Sequence, residues 1–542
     1  MSDIKLLDCT LRDGGYINDW QFGRNNLACV FDRLIDAKVD IVEIGFLDER
    51  RPFDRDRSIM PDTTSVKKIY GQCDKKQAMV VGMIDYGTCG LERIQPCEES
   101  YLDGIRVIFK KQLMNEAMEY CRQLKMLGYK VFSQLVSITA YTDEDLLKLI
   151  KLVNDVEPYA VSMVDTYGLL HPEDVLHYYY LLDDHVKTSI QIGFHAHNNF
   201  QLGYANVLAF IGKETQRDIV VDGTLFGMGK SAGNPPLELI AMRLNDKFDK
   251  SYNISSMMEA IEESVMPFYK KSPWGYKLFF YMCAKHNCHP MYLTYFEDKQ
   301  NLSVSMLDRL LAELPSNEKK LLYDRLVAEQ IYGNYLESDG NDEADYQSLK
   351  QTVGQTPVLL IGPGKNIELQ RQNVRNFIEE KKPYIISVNY IPSNIEVDCV
   401  FVTNGKRYKD MALSLKEERN NDLKILATSN IEHRQKPFDF VVNRVPLLEM
   451  HDTIRDNSFL MLMKVLQNIG ITDVYCAGFD GYSEKEDNYF NPLMEYDFVK
   501  REAGHLNYYM KRRVADFRKN MIVQFITYSV YDVEEDINLA SI

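Results

Sequence analysis

At 542 residues the chain is too long for one ordinary hydrophobic core, and about two to four domains are expected. Its 45% apolar and 26% charged residues are those of a water-soluble globular protein, and a formal charge of −16 argues against nucleic acid or an anionic membrane surface as the main partner. Ten cysteines without paired spacing fit a reducing compartment, Met1–Lys5 run straight into a strand with no leader, and no apolar run reaches the ~18 residues that span a bilayer; a cytoplasmic location is expected.

From the N-terminus to about residue 240, short β-branched runs alternate with longer amphipathic stretches. Strands are predicted at Ile4–Asp8, Ile41–Phe46, Ala78–Ile84, Ile105–Phe109, Lys130–Val136, Ala160–Val164, Ile190–Phe194 and Ile219–Thr224. Helical patterns such as Leu113–Leu127 and Thr142–Val153 lie between them. This order predicts a (β/α)8 barrel rather than an open sheet. Side chains able to do chemistry gather at the C-terminal ends of these runs. Arg12 and Asp13 follow the first, Glu43 lies within the second, Asp165 and Thr166 follow the sixth, His195 and His197 end the seventh, and Gly227–Asn234 follow the eighth. Barrel active sites occupy that rim.

The barrel is expected over residues 1–245 and a helical extension over 246–335, with helices at Met257–Val265, Tyr276–Lys285 and Ser305–Ile331. A linker is expected over 336–356, because Glu337–Asp345 is acidic and nearly devoid of bulky apolar residues. A second α/β domain is expected over 357–542. Its buried-strand candidates are Val358–Ile361, Tyr384–Val388, Cys399–Val402, Ile425–Ala427, Phe438–Val442 and Val474–Ala477. The fold class is therefore α/β throughout: a TIM barrel with a helical extension, then a Rossmann-like domain.

Residues two apart on a strand point to the same side, so His195 and His197 can reach one ion. Asp13, just past the first strand, can add a hard oxygen ligand. Two imidazoles and a carboxylate, with other positions open, make a divalent-metal site that polarises a carbonyl or stabilises an enolate. The bland alternative is a satisfied histidine pair. Cys283, His286, Cys288 and His289 crowd together without the two-pair spacing of structural zinc sites.

Thr10-Leu11-Arg12-Asp13-Gly14, Ile105-Arg106-Val107, Gly193-Phe194-His195-Ala196-His197-Asn198-Asn199 and the run Gly227–Glu238 occur in this order. With them, residues 1–285 closely resemble the pyruvate-specific class II aldolases typified by 4-hydroxy-2-oxovalerate aldolase, within the metal-dependent lyase and synthase barrel superfamily. The resemblance implies that Asp13, His195 and His197 bind a divalent ion, manganese first and magnesium or cobalt as alternatives, with Asn234 as a further ligand. It implies that Arg12 faces the substrate keto oxygen. Tyr276 resembles an active-site tyrosine of the aldolases, and packing in a helical cap accounts for it equally well. Two departures matter. Tyr16 stands where the aldolases carry an acid/base histidine, so it either moves protons or only lines the pocket. Gly15 stands where the synthases carry a glutamate, which weakens the synthase reading.

In the C-terminal half, Gly362-Pro363-Gly364 follows a buried strand and precedes a helical stretch. Such a turn either brings backbone N–H groups against a phosphate or is only a tight turn. The set Ser387–Asn389, Asp398–Asn404 and Asp473–Tyr482 distantly resembles the Rossmann-like fold of bacterial sialyltransferases. That resemblance implies contacts from Gly362, Gly364 and Asn389 to a nucleotide or nucleotide-sugar. Glu495-Tyr496-Asp497 echo a stretch near that family's catalytic histidine, but Pro492 falls at the corresponding place.

The expected function is that of a carbon–carbon lyase, a divalent-metal-dependent aldolase joining or separating a pyruvate-type enolate and an aldehyde. The alternatives are an acyl-CoA-dependent Claisen-type synthase of the same fold, or a non-catalytic nucleotide-binding or assembly protein of surface-polysaccharide biosynthesis. Expected partners are a small 2-oxo acid, an aldehyde, a nucleotide at the second domain and further copies of the chain, with no nucleic acid and no membrane.

Overall fold

The computed structural model describes residues 3–298, 302, 304–315, 320, 323–337, 342–411, 422–431, 438–449, 454–485, 487–489 and 500–532. They form two compact units, Met1–Thr294 with Leu311–Asp324, and Tyr295–Leu310 with Arg325–Ile542. No helix among the described residues is long and apolar enough to cross a membrane.

The strands of the first unit are β1 (Ile4–Asp8), β2 (Ile41–Leu47), β3 (Ile59–Met60), β4 (Met79–Asp85), β5 (Gly104–Phe109), β6 (Lys130–Leu135), β7 (Ala160–Val164), β8 (Gln191–His195) and β9 (Ile219–Gly223). They pair in parallel in the order β1-β9-β8-β7-β6-β5-β4-β2, and β1 returns to β2 with Leu7 opposite Ile41 and Asp8 opposite Val42. A barrel closed in this way leaves no free edge, and helices cover its outside, which is why these strands read as near-continuous apolar runs. Helix Asp143–Val156 shows how the cover is specified. Thr142 and Asp145 form a capping box, and Leu146, Leu149, Ile150 and Val153 are buried along one face.

The two-residue β3 is too short to leave a sequence signature. It pairs with the end of β2 beside a bulge between Glu43 and Phe46. Gly45 makes that crossing possible: its φ is +139°, and a Cβ there would fall 1.8 Å from the Ser58 carbonyl oxygen.

The extension and linker boundaries differ from expectation. Met257, Ala260, Val265 and Trp274 belong to the barrel unit's own core, so that unit does not stop at residue 245. The helix expected over Ser305–Ile331 is two, Val304–Ala312 and Arg325–Glu337; Pro315, which has no N–H to donate, lies between them. The expected linker carries a helix, Glu343–Val353, whose Leu349 and Val353 are buried in the second unit's core. Its acidic residues are also used: the Asp342 and Asp345 carboxylates accept the Asn443 and Val441 N–H groups at 2.7 and 3.1 Å. Residues 338–341 of the acidic run lie outside the described residues.

The second unit is a parallel sheet of β10 (Val358–Ile361), β11 (Tyr384–Val388), β12 (Cys399–Val402), β13 (Lys424–Thr428), β14 (Phe440–Val442), β15 (Asp473–Ala477) and β16 (Ile522–Phe525), in the order β14-β13-β12-β11-β10-β15-β16. Apolar clusters cover both faces, one including Leu360, Ile386 and Phe401, the other Leu359, Ile385 and Val400. This is a doubly wound, Rossmann-like arrangement. β16 was not expected: it is an edge strand with Ile522 and Gln524 exposed, so it lacks the buried-strand signature.

Because Leu349 is fully buried, Leu349→Ala should lower the stability of the second unit by about 2–5 kcal/mol. Denaturant unfolding followed by tyrosine fluorescence would check this, and an unchanged midpoint would make the 343–353 helix peripheral to that core.

Candidate metal centre

β1 ends at Asp8, whose carboxylate accepts the Thr10 N–H at 3.0 Å and the Thr10 hydroxyl at 2.6 Å. These bonds turn the chain at once into the helical turn Thr10–Asp13, which sets Arg12 and Asp13, both buried, at the barrel rim. His195 ends β8 and His197 follows two residues later, with ring centroids 4.9 Å apart. Past β9 the chain loops back to bring in Asn234. Gly233 permits the loop, with φ +84° and no room for a Cβ, which would fall 2.2 Å from the Gly227 carbonyl oxygen.

Hydrogen bonds fix which nitrogen of each imidazole is free. His197 Nδ1 donates to the Asp165 carbonyl at 3.0 Å, and His195 Nδ1 donates to the Asp222 carboxylate at 2.9 Å. The protons are therefore on Nδ1, and both Nε2 lone pairs turn toward Asp13, lying 3.3 and 3.2 Å from its Oδ2. Ligands at adjacent positions around one ion, each roughly 2.1–2.2 Å from it, are separated by about that much. Asp13 Oδ1, Asn234 Oδ1 and both Nε2 atoms are buried without a hydrogen-bond partner. Each such orphan costs about 1–3 kcal/mol unless a ligand satisfies it. Asn234 Nδ2 meanwhile donates to Asp13 Oδ2 at 2.7 Å, which holds the amide in the cluster. Burial works against the Asp13 charge, but Arg12, His197 and His195 outweigh it and hold its pKa well below the usual carboxylate range. The residues present fit a divalent ion.

Cys9, His195 and Asp222 are also within ligating distance of one another. Burial pushes the Cys9 thiol far up, and the Asp222 carboxylate already accepts from His195 Nδ1, so this trio is not a competing site.

Arg12 donates through Nε to Glu43 Oε2 at 2.8 Å, and its NH1 stands 3.4 Å from Asp13 Oδ1. The same Glu43 oxygen accepts from Arg106 NH1 at 3.0 Å, and Arg106 NH2 donates to Asp222, the partner of His195. Arg106 and Asp222 had not been given roles from the sequence. The available signal was a charged residue inside each of two apolar strand runs, Ile105–Phe109 and Ile219–Thr224.

The remaining candidates divide. Tyr16, in the turn Gly14–Ile17, is 42% exposed, with Trp20 and Phe46 edge-on to its ring. Its hydroxyl is nonetheless pushed up to about 12 by burial and then by the Asp13 carboxylate. Tyr276 is 57% exposed ahead of helix Leu278–Lys285 and makes no hydrogen bond or ring contact with the cluster. Asp165 caps a turn, its carboxylate accepting the Leu169 and Leu170 N–H groups at 2.8 and 3.1 Å. At Gly15 a Cβ would fall 2.0 Å from the Trp20 ring, so the synthase-type glutamate has no room there.

In the second unit, Gly364 and Asn389 line a cavity of about 230 Å³ that also takes in Thr403, Ser458, Phe479 and Tyr482. Gly362 does not line it. It is glycine because β10 and the chain after β15 approach closely there: a Cβ would meet the Gly478 carbonyl oxygen at 2.5 Å. Of the two readings of the Gly362–Gly364 turn, the tight turn is the one that the hydrogen bonds favour. The following N–H, of Asn366, already donates to the Asp480 carboxylate at 2.8 Å, so the chain's own anion fills that place. Asn389 spends its amide on the Thr403 and Ser458 hydroxyls, at 3.0 and 2.7 Å. Pro492 and Glu495–Asp497 lie outside the described residues.

A closed parallel barrel whose C-terminal rim gathers a carboxylate, two imidazoles and an amide defines a (β/α)8 domain with a candidate metal centre. The HMGL-like family model matches residues 3–263, which include every strand of the barrel. Relatives named 4-hydroxy-2-oxovalerate aldolase from Chloroflexus aurantiacus and Thermomicrobium roseum are each 27% identical to this chain. The first match covers 51% of this chain and 79% of the relative, the second 50% and 74%. Among solved structures, the N-terminal domain of a candidate aldolase from Bacteroides vulgatus matches with a TM-score of 0.47 at 23% identity, over 56% of this chain and 99% of that one. The family and these named relatives are lyases, and the barrel is an enzyme domain of that class.

Since Asp222 fixes the orientation and proton position of His195, Asp222→Asn should weaken divalent-ion affinity about 10–100-fold while leaving the barrel folded. Calorimetric titration with manganese and circular dichroism would check this, and unchanged affinity would remove Asp222 from the site.

Proposed function

We propose that the barrel is a divalent-metal-dependent aldolase joining or separating a 2-oxo acid of the pyruvate type and an aldehyde. The observation that carries this reading is the set of partnerless ligand atoms on Asp13, His195, His197 and Asn234 beside the Arg12 guanidinium. In the joining direction a proton leaves the methyl group of the oxo acid. The enolate carbon then bonds to the aldehyde carbon, and the aldehyde oxygen takes up a proton. A divalent ion held by the four ligands, manganese in this proposal, supplies Lewis-acid polarisation of the keto oxygen.

Arg12 is positioned rather than merely charged. Glu43 holds its Nε, so the terminal N–H groups on the ligand side can donate to the keto oxygen. That interaction strengthens as the oxygen gains enolate charge, which lowers the barrier rather than only improving binding. Tyr16, with its hydroxyl at about 12, is neutral near pH 7. In this reading it donates its proton or a hydrogen bond to the oxygen of the new alcohol and is not the base that forms the enolate. The Trp20 ring beside Gly15 favours the aldolase over the acyl-CoA-dependent synthase.

For the second unit we propose a nucleotide or nucleotide-sugar in the 230 Å³ cavity. It opens at the C-terminal ends of β10 and β15, where the strand order reverses, the place where doubly wound sheets bind ligands. Phe479 and Tyr482 offer ring faces and Thr403 and Ser458 offer hydroxyls. A cytidine nucleotide should give a calorimetric binding signal with the full chain, lost in a Ser458→Tyr variant that fills the cavity. Equal binding by both would place the ligand elsewhere.

The aldolase reading is checked without knowing the aldehyde. With manganese, the protein should exchange the methyl protons of pyruvate for deuterium in heavy water, followed by NMR. Arg12→Lys keeps the charge and loses the planar fork, and should slow the exchange on the order of a hundredfold. Equal rates would remove Arg12 from the chemistry, and no exchange by the unaltered protein would overturn the aldolase reading.

A further inference from the structure

The barrel mouth carries positive charge that enolate formation does not use. Lys230, in the loop Gly227–Asn234, places its ammonium 5.4 Å from the centre of the Tyr16 ring. It is within electrostatic range of Asp13, Arg12 and His197. Among the described residues no carboxylate lies within ion-pair distance of it and no hydrogen bond engages it. Surrounding protein desolvates this ammonium enough to lower its pKa. A desolvated ammonium with no ion pair or hydrogen bond among the described residues is the counterpart of an absent anion.

Two further donors are within electrostatic range of the same mouth. Lys110 directly follows β5. His289 feels both Lys230 and Lys110, and burial together with these two charges brings it down to about 4, so its ring is neutral. Its Nδ1 accepts the Met291 N–H at 3.2 Å, which leaves the ring proton on Nε2 as a donor. The carboxylates that Lys230 feels are Asp13 and then Asp85, at the end of β4; Asp85 also feels Lys110 and Arg50. Arg50 is committed to Asp48 by bonds of 2.8 and 2.6 Å. Among the described residues neither Lys230 nor Lys110 stands within ion-pair distance of Asp13 or Asp85.

We infer that the aldehyde handled by this barrel is anionic, its phosphate or carboxylate seated on Lys230 with Lys110 and the His289 Nε2–H as further donors. The inference rests on the aldolase reading above and names the substrate class of that site. Lys230 is then a specificity residue. Its coupling to Asp13 and His197 puts it on the ligand side of the mouth, so in this proposal one end of a short aldehyde reaches the enolate while the other meets the ammonium. The competing role, holding the carboxylate of the oxo acid, predicts a different kinetic signature.

The test uses the full chain loaded with manganese, pyruvate, and three aldehydes: glyceraldehyde 3-phosphate, succinic semialdehyde and neutral glyceraldehyde. At least one anionic aldehyde should exceed glyceraldehyde in kcat/KM by about tenfold or more, as expected for a desolvated charge-assisted bond. Which of the two prevails identifies the anion as phosphate or carboxylate. Lys230→Gln should bring the ratio toward one by raising KM for the anionic aldehyde, and Lys230→Arg should restore much of it. A ratio near one in the unaltered protein overturns the inference. So does a Lys230→Gln protein that keeps the ratio and instead raises KM for pyruvate.

Deuterium exchange into pyruvate without any aldehyde keeps the two readings apart. Exchange with no preference for an anionic aldehyde overturns only the present inference. Without exchange the aldolase reading falls, and inorganic phosphate titrated against the full chain, followed by 31P NMR, decides the anion seat. Line broadening that Lys230→Gln abolishes supports the seat, and its absence overturns it.

Discussion

Inside the barrel, charge alternates along one connected path: Arg12, Glu43, Arg106, Asp222, His195. Each of these groups is buried, and each alone would carry a desolvation penalty of several kcal/mol. Alternation makes the set tolerable, since every cation touches an anion and each shared carboxylate serves two donors. The same path orients the site. Glu43 aims Arg12, and Asp222 places the His195 proton on Nδ1 and so frees Nε2. The cluster is held from behind by a rigid network rather than by the loops around it, which is the condition for preorganised electrostatic stabilisation.

Partnerless atoms gather where the candidate ion ligands begin. Four of them, on Asp13, Asn234, His195 and His197, lie together in the cluster, while Glu43 and Arg106 in the network behind each keep one unpartnered atom, Oε1 and Nε. At the barrel mouth, Lys230 has no ion pair and no hydrogen bond among the described residues. Both features place an unmet demand at the rim, one for a cation and one for an anion, and a metal with an anionic substrate meets both. The second unit behaves differently at its glycine turn. There the Asp480 carboxylate takes the Asn366 amide, and Asn389, Thr403 and Ser458 tie strand ends to one another. Those polar groups are satisfied within the chain, and the open space lies beside them.

Much of this was legible from residue order. Strands in a closed parallel barrel are buried on both faces, so their apolar runs stand out, and all eight barrel strands expected begin and end within a residue of β1, β2 and β4–β9. The His-x-His pair and the carboxylate after β1 were legible for the same reason, because a polar residue ending an apolar run has few structural uses. The elements that escaped lacked such a pattern. β3 has two residues, β16 is an edge strand with one face in solvent, and the 343–353 helix hides its Leu349 and Val353 among acidic neighbours.

The amino-acid sequence by itself determined the two α/β units, the rim position of Arg12, Asp13, His195 and His197, and the absence of a carboxylate at Gly15. Local pattern suffices for these, since strand period and chain order are properties of neighbouring residues. Only the tertiary structure decided that Arg106 and Asp222 stand behind His195, that Trp20 occupies the space at Gly15, that Asp480 fills the glycine turn, and that Tyr276 stands apart from the ion ligands. These pairings join residues up to 116 positions apart in the barrel, where closure of the sheet brings them together, and 114 in the second unit, where the pairing of β10 with β15 does so. Nothing in the local spacing encodes such a distance.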